Sequence, residues 1–200
     1  MRKTLFTCLL AFGALASYAQ VDLSKYLLQN YGFDQDFDYK ASQSNEVTQE
    51  IKDVKGWTAN LSANYTIVGT YEFGFKGTFN TASVPAKGYN GEAGGGLAIS
   101  TGWEQTFLFS QEVTLPAGKY TINVPTYNGS NVTAATSQLA WIPNAGTSKK
   151  STVTSYVANT WTLDKITFTL NTTTKGKIQF GMKAAAGGSA NTAKLVVDYV

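Results

Sequence analysis

The sequence has no histidine, and its one cysteine and one arginine, Cys8 and Arg2, lie at the very start. If the first nineteen residues are removed, no intrachain disulfide can form. Thiolate nucleophiles, histidine-based triads and ordinary Cys/His zinc sites are excluded with them. Charge is scarce as well, at 14% of residues, which is low for a surface built of helices and typical of β structure and turns. Beyond residue 19, fourteen lysines face thirteen acids. That balance offers no electrostatic footprint for nucleic acid or for an anionic membrane surface. There is also no apolar run long enough to span a bilayer.

What stands at the N-terminus is a targeting pattern. Arg2 and Lys3 precede the apolar run Leu5–Ala16, and Ser17-Tyr18-Ala19 supplies small residues at cleavage offsets. The reading is a signal peptide over 1–19, cleavage before Gln20, and a single exported domain over 20–200. Export leaves periplasm, cell surface and medium equally open. About 180 residues suit one sandwich with a substantial core. The chain stops on an apolar strand without a polar tail, an ending expected of a piece of a longer parent chain or of a natural last strand.

Residues 95–124 are the centre of the pattern. Trp103, Phe107, Phe109, Val113 and Leu115 alternate with Glu104, Thr106, Ser110, Glu112 and Thr114, the period-two signature of a half-buried strand. Pro116-Ala117-Gly118-Lys119 interrupts it, and Tyr120, Ile122 and Val124 resume it, which predicts a hairpin. Gly91–Gly96 predicts a loop with close backbone packing. Leu61–Phe79 alternates throughout and is too long for one strand, so a bend near Gly69 or Gly74 is expected, or two strands in phase. Val21–Asn30 fits a short helix or a first strand. Further strands are predicted at Gln138–Ile142, Thr152–Val157, around Ile166, Phe168 and Leu170, around Ile178, Phe180 and Met182, and at Leu195–Val200. Strands recurring about every ten residues predict an all-β antiparallel β-sandwich.

Asn30-Tyr31-Gly32-Phe33-Asp34, the Trp103 to Tyr120 stretch and Val197-Asp198-Tyr199-Val200 resemble the opening strand, an aromatic strand with its Gly-x-Tyr turn, and the closing strand of galactose-binding-like jelly rolls. The resemblance implies a jelly roll that binds carbohydrate within secreted glycan-degrading proteins. It also implies a structural calcium held by Asp34 and Asp198. Asp34, Asp36 and Asp38 separately have the spacing of EF-hand ligands, but Tyr39 stands where that loop needs Gly and Asn45 where it needs Glu. The plainer alternative is a strand with its acids in water.

Sugar recognition needs aromatic faces for C–H patches, and amides or carboxylates for hydroxyls. Tyr89, Asn90 and Glu92 in one loop, Tyr127 and Asn128 in a second, and Trp141 beside Pro143 are the candidate ligand contacts. Trp57, Trp103 and Trp161 are assigned to the core. A protein-interaction or adhesion sandwich with no small-molecule site is the alternative. A small glycosidase or lyase would need two facing carboxylates, with Glu72, Glu104 and Glu112 as its candidates. The expected partner is an oligo- or polysaccharide, together with other domains of a longer parent chain.

Overall fold

The computed structural model describes residues 20–35, 37–47, 53–61, 67–79, 82–101, 104–131, 135–185 and 193–200. The expected signal peptide, Asp36 and Trp103 lie outside them. The chain enters through one helical turn, α1 (Ser24–Leu27), which resolves Val21–Asn30 as helix. The strands are β1 (Glu46–Val47), β2 (Thr58–Leu61), β3 (Ile67–Glu72), β4 (Thr78–Phe79), β5 (Ala82–Ser83), β6 (Gly95–Thr101) and β7 (Thr106–Leu115). They continue as β8 (Gly118–Asn128), β9 (Ala135–Ser137), β10 (Ala140–Pro143), β11 (Lys149–Lys150), β12 (Trp161–Leu170), β13 (Thr174–Ala184) and β14 (Ala193–Val197). A 3-10 turn at Tyr89–Gly91 precedes β6.

One sheet has the order β12-β8-β14-β6-β3, and the other β11-β10-β13-β7-β2 with β9 also on β13. Both are antiparallel throughout. Leu97, Ile99, Ile122, Val124, Ile166, Leu195 and Val197 of the first sheet meet Phe107, Phe109, Ile178, Phe180 and Met182 of the second in one core. Each of these side chains is removed from water on the inward beat of its strand, which contributes roughly 1.5–3 kcal/mol per large apolar side chain. The expected all-β, jelly-roll sandwich is what forms. No helix among the described residues is long and apolar enough to cross a membrane.

The predicted hairpin at Pro116–Lys119 is not one. β7 pairs with β13 and β2, whereas β8 pairs with β12 and β14, so the two strands belong to opposite sheets. The turn is a corner, and the Tyr120 hydroxyl donates to the Pro116 carbonyl across it at 2.9 Å. Alternation identifies a strand and its inward face but not its partner. Here each strand gains ten paired positions from a distant segment. Asn30–Asp34 is likewise a turn rather than an opening strand, with Asn30 and Phe33 at positive φ. Phe33 is fully buried and packs edge-on against Phe180 at 5.6 Å. Thr152–Val157 is irregular rather than a strand. Its bonds are isolated rather than a ladder, the Val153 carbonyl accepting the Ser137 N–H of β9 and the Val153 N–H donating to Ser151 Oγ. The long Leu61–Phe79 alternation divides at Gly74, whose φ of +95° a side chain would disfavour.

The five-stranded sheet buries its second face too. Ala98, Val196, Tyr71, Phe73, Phe75, Phe79 and Tyr39 form a smaller core there. Asp38 locks the covering segment to β3, accepting the Thr70 N–H at 3.0 Å. This cover does not reach the β12 and β8 side of the sheet, where Thr121, Leu163, Lys165 and Thr167 are exposed.

Candidate functional site

The rim of the smaller core, where the cover ends, gathers three aromatic rings. On the outward beat of the sheet, Trp161 of β12 sits opposite Tyr127 of β8, and Tyr127 opposite Val196 of β14. Both aromatics are half-buried. Their ring centroids are 5.5 Å apart with planes inclined 59°. Tyr89 arrives from the loop before β6, its ring 6.1 Å from Trp161 and inclined 72°. The three rings form an angled corner rather than a flat row.

The loop that delivers Tyr89 is closed by its own backbone. Gly88 N–H donates to the Glu92 carbonyl at 2.9 Å and Gly91 N–H to the Gly88 carbonyl at 3.0 Å. Asn90 takes a left-handed φ of 60°, which Asn tolerates better than most residues. Behind the corner lies Asp198, which is 6% exposed. Its Oδ2 accepts the Tyr89 N–H at 2.5 Å. Burial pushes the Asp198 carboxyl up to about 6, the Tyr89 N–H pulling it down and the Glu92 charge pushing it further up. Burial likewise raises the Tyr199 phenol, with Glu92, Asp198, Tyr89 and Asp22 adding to the rise. Tyr71 is buried beneath them and held well above its ordinary value by that burial and by Asp198 and Tyr127.

Of the sequence candidates, Tyr89, Asn90, Glu92, Tyr127 and Asp198 therefore share one neighbourhood. Asn128 and Trp141 do not. Asn128 is the inward neighbour of Tyr127 and fully buried, its Nδ2 donating to the Tyr156 carbonyl at 2.8 Å and its Oδ1 accepting from Ser130. Trp141 is 2% exposed and lies between the sheets, stacked on Phe168 at 5.4 Å and 2°. Neither can meet a ligand from solvent. Trp161, assigned to the core, is the corner's central ring, while Trp57 is buried as expected. Strand phase carried the missing signal: Ile166 is inward on β12, so the odd-numbered Trp161 must face out.

The metal pair is not assembled with further ligands. Asp34 is exposed beside Gly32, whereas Asp198 is surrounded by Gly88, Tyr89 and Phe73. Among the described residues no three His, Cys, Asp or Glu side chains gather as a metal site. Calcium takes six to eight oxygens, and the Asp198 carboxylate already has one of its two engaged by the Tyr89 N–H. The enzyme candidates are also dispersed. Glu72 accepts the Ala41 N–H at 2.9 Å, Glu112 pairs with Lys175 at 3.0 Å, and Glu104 sits on an exposed turn.

No protein-family model matches the sequence, and no curated protein matches it. Solved structures do. TmCBM61 in complex with β-1,4-galactotriose aligns with a TM-score of 0.52 and 18% identity, over 86% of this chain and 93% of that one. The two chains share a β-sandwich fold. A second structure, of carbohydrate-binding modules from the β-sandwich superfamily with promiscuous specificity, aligns with a TM-score of 0.47 and 15% identity, over 79% and 62% of the two chains. The enzymatically active domain of bacteriophage CBA120 tailspike protein 4 aligns with a TM-score of 0.44 and 13% identity, over 73% of this chain and 19% of that one. Within this β-sandwich the aromatic corner lies on the outer face of the five-stranded sheet, next to its uncovered strip.

Proposed function

We propose that the protein is a non-catalytic carbohydrate-binding module of an exported protein. The observation that carries this reading is the Tyr89–Trp161–Tyr127 corner, three half-buried rings from a loop and two strands with Glu92 and Asp198 beside them. Each ring offers an apolar face to the C–H patch of a pyranose, and the exposed Glu92 carboxylate accepts from its hydroxyls. The angled rings suit a single soluble glycan chain better than a flat crystalline surface. The exposed Glu92 carboxylate repels uronates and sulfated sugars, which favours a neutral glycan. The fold shared with TmCBM61, whose structure holds β-1,4-galactotriose, supports the same reading and suggests that oligosaccharide as the first soluble probe.

The test is a glycan-array screen followed by calorimetry on the hits. Binding to a neutral glycan that is lost in Trp161→Ala and Tyr127→Ala supports the reading. No binding, or binding indifferent to both substitutions, overturns it. Release of reducing sugar from a bound glycan would overturn the non-catalytic part alone. Export is tested by N-terminal sequencing of the secreted protein, expected to begin at Gln20.

One observation favours the protein-interaction alternative. Val21, Leu23 and Tyr26 are exposed by 68%, 37% and 71% on the entering segment, where another domain of a longer chain could pack. That reading predicts no glycan on the array.

A further inference from the structure

The resemblance in sequence assigned Asp198 to calcium, but the geometry gives it different work. Its Oδ2 already accepts the backbone N–H of Tyr89. A Cβ built on Gly88 would lie 2.6 Å from Oδ2, 3.0 Å from Oδ1 and 2.8 Å from the Phe73 ring. The carboxylate is thus folded tightly over residue 88, and glycine is required there because any side chain would collide with it. The Tyr89 N–H occupies one of its oxygens and Glu92 is the one other acid described near it, where a calcium ion would need six to eight oxygens. Asp198 is itself anchored, its own N–H donating to the Pro125 carbonyl at 3.1 Å, two residues before Tyr127 on the same strand.

We infer that Asp198 is the positioning residue of the aromatic corner: its carboxylate, closed over Gly88, holds the Tyr89 backbone and so fixes the 88–92 loop edge-on to Trp161, in place of binding a metal. The loop makes no strand pairing of its own between residues 84 and 94. Its bonds at Gly88, Gly91 and Glu92 run within the loop and set its shape rather than its position. The Asp198–Tyr89 bond joins that rigid loop to the sheet beside the ring it must face. A charge-assisted bond of this kind is among the stronger hydrogen bonds a protein makes. The functional consequence rests on the sugar-binding reading; the clamp itself does not.

Hydrogen exchange followed by NMR tests the clamp without any glycan. In the wild-type protein the Tyr89 amide is protected. In Asp198→Ala it exchanges about ten- to hundredfold faster, the loss expected for one bond to a charged acceptor, while the β8 and β14 amides keep their rates. Asp198→Asn, which keeps an acceptor oxygen, restores most of the protection. Gly88→Ala, which displaces the carboxylate without removing it, reproduces the fast exchange and serves if Asp198→Ala fails to fold. Unchanged exchange in both Asp198→Ala and Gly88→Ala overturns the inference. So does a rise in wild-type melting temperature with calcium chloride that Asp198→Asn abolishes. With a glycan from the array in hand, Asp198→Ala weakens binding at least about tenfold and Asp198→Asn much less. A wild-type protein that binds no glycan removes the sugar reading, and the exchange rates still decide the clamp.

Discussion

The side-chain amide of Gln111 pairs with the backbone of Gln29 as a neighbouring strand would. Gln29 N–H donates to Gln111 Oε1 at 3.0 Å, and Gln111 Nε2 donates to the Gln29 carbonyl at 2.6 Å. Gln111 interrupts the apolar beat of β7 because its inward side chain carries these two bonds and is 9% exposed. Gln111→Ala removes both and leaves two backbone groups of the entering segment without partners. The expected cost is about 1–3 kcal/mol, read from denaturant unfolding, with glycan binding unchanged.

Trp141 and Trp161 make a contrasting pair. Trp141→Ala opens a cavity between the sheets and is expected to cost about 3–5 kcal/mol. Trp161→Ala removes a half-exposed ring, so its stability cost is expected to be the smaller of the two while glycan binding is lost. Equal stability losses with binding retained in both variants would contradict the placement of the site at Trp161.

The pH dependence of stability follows from Asp198. Its folded carboxyl titrates near 6, above an ordinary value of 3.8. Between those limits the native state holds a proton that the unfolded chain has released, so this group's contribution to stability falls as pH rises through the window. Glu92, Tyr89, Tyr71 and Tyr199 are the titratable groups around it. Urea unfolding from pH 4 to 7 is expected to show a decline that Asp198→Asn flattens. A wild-type curve parallel to that of Asp198→Asn would remove Asp198 as the source.

Asp164 is 2% exposed on the edge strand β12, and it gathers Ser137, Ser151 and Tyr156. Ser151 Oγ donates to it at 2.5 Å. Asp164→Ala strips three hydroxyls of their acceptor and is expected to be more destabilising than Asp164→Asn, which keeps one oxygen in place. Thermal unfolding of the two variants checks the order. Glu112→Gln breaks only the exposed pair with Lys175 and is expected to leave the melting temperature unchanged.

Strands and their inward faces were legible in the sequence because period two is a local property. Phe107, Phe109, Ile122, Val124, Ile178 and Phe180 are all inward, as alternation requires. Pairing was not legible, since it depends on which distant strand offers the longer match, and the Pro116–Lys119 corner looks the same in sequence as a hairpin. The site was legible in part. Tyr89 and Glu92 stand in the Gly-rich loop where the sequence placed them, whereas Tyr127 lies on β8 rather than in a loop. Trp161, expected in the core, packs half-buried against the smaller one, and Asn128, expected at a ligand, is buried: even positions of β8 and β12 are inward, and odd ones outward. Tyr89 meets Trp161 beside the Asp198 contact, made across 109 residues, which no local pattern records.

β14 is late in the sequence and central in its sheet, hydrogen-bonded to β8 on one side and β6 on the other. As the chain is made from its N-terminus, that sheet stays in two separate halves until residues 193–197 arrive to bridge them. Asp198 follows immediately, so the residue that sets the Tyr89 loop is added after every ring of the corner has been synthesised. Such non-local closure is slow compared with local pairing. The order of synthesis therefore lets Trp161 and Tyr127 pair on β12 and β8 first, while the Tyr89 loop waits for residues 193–198.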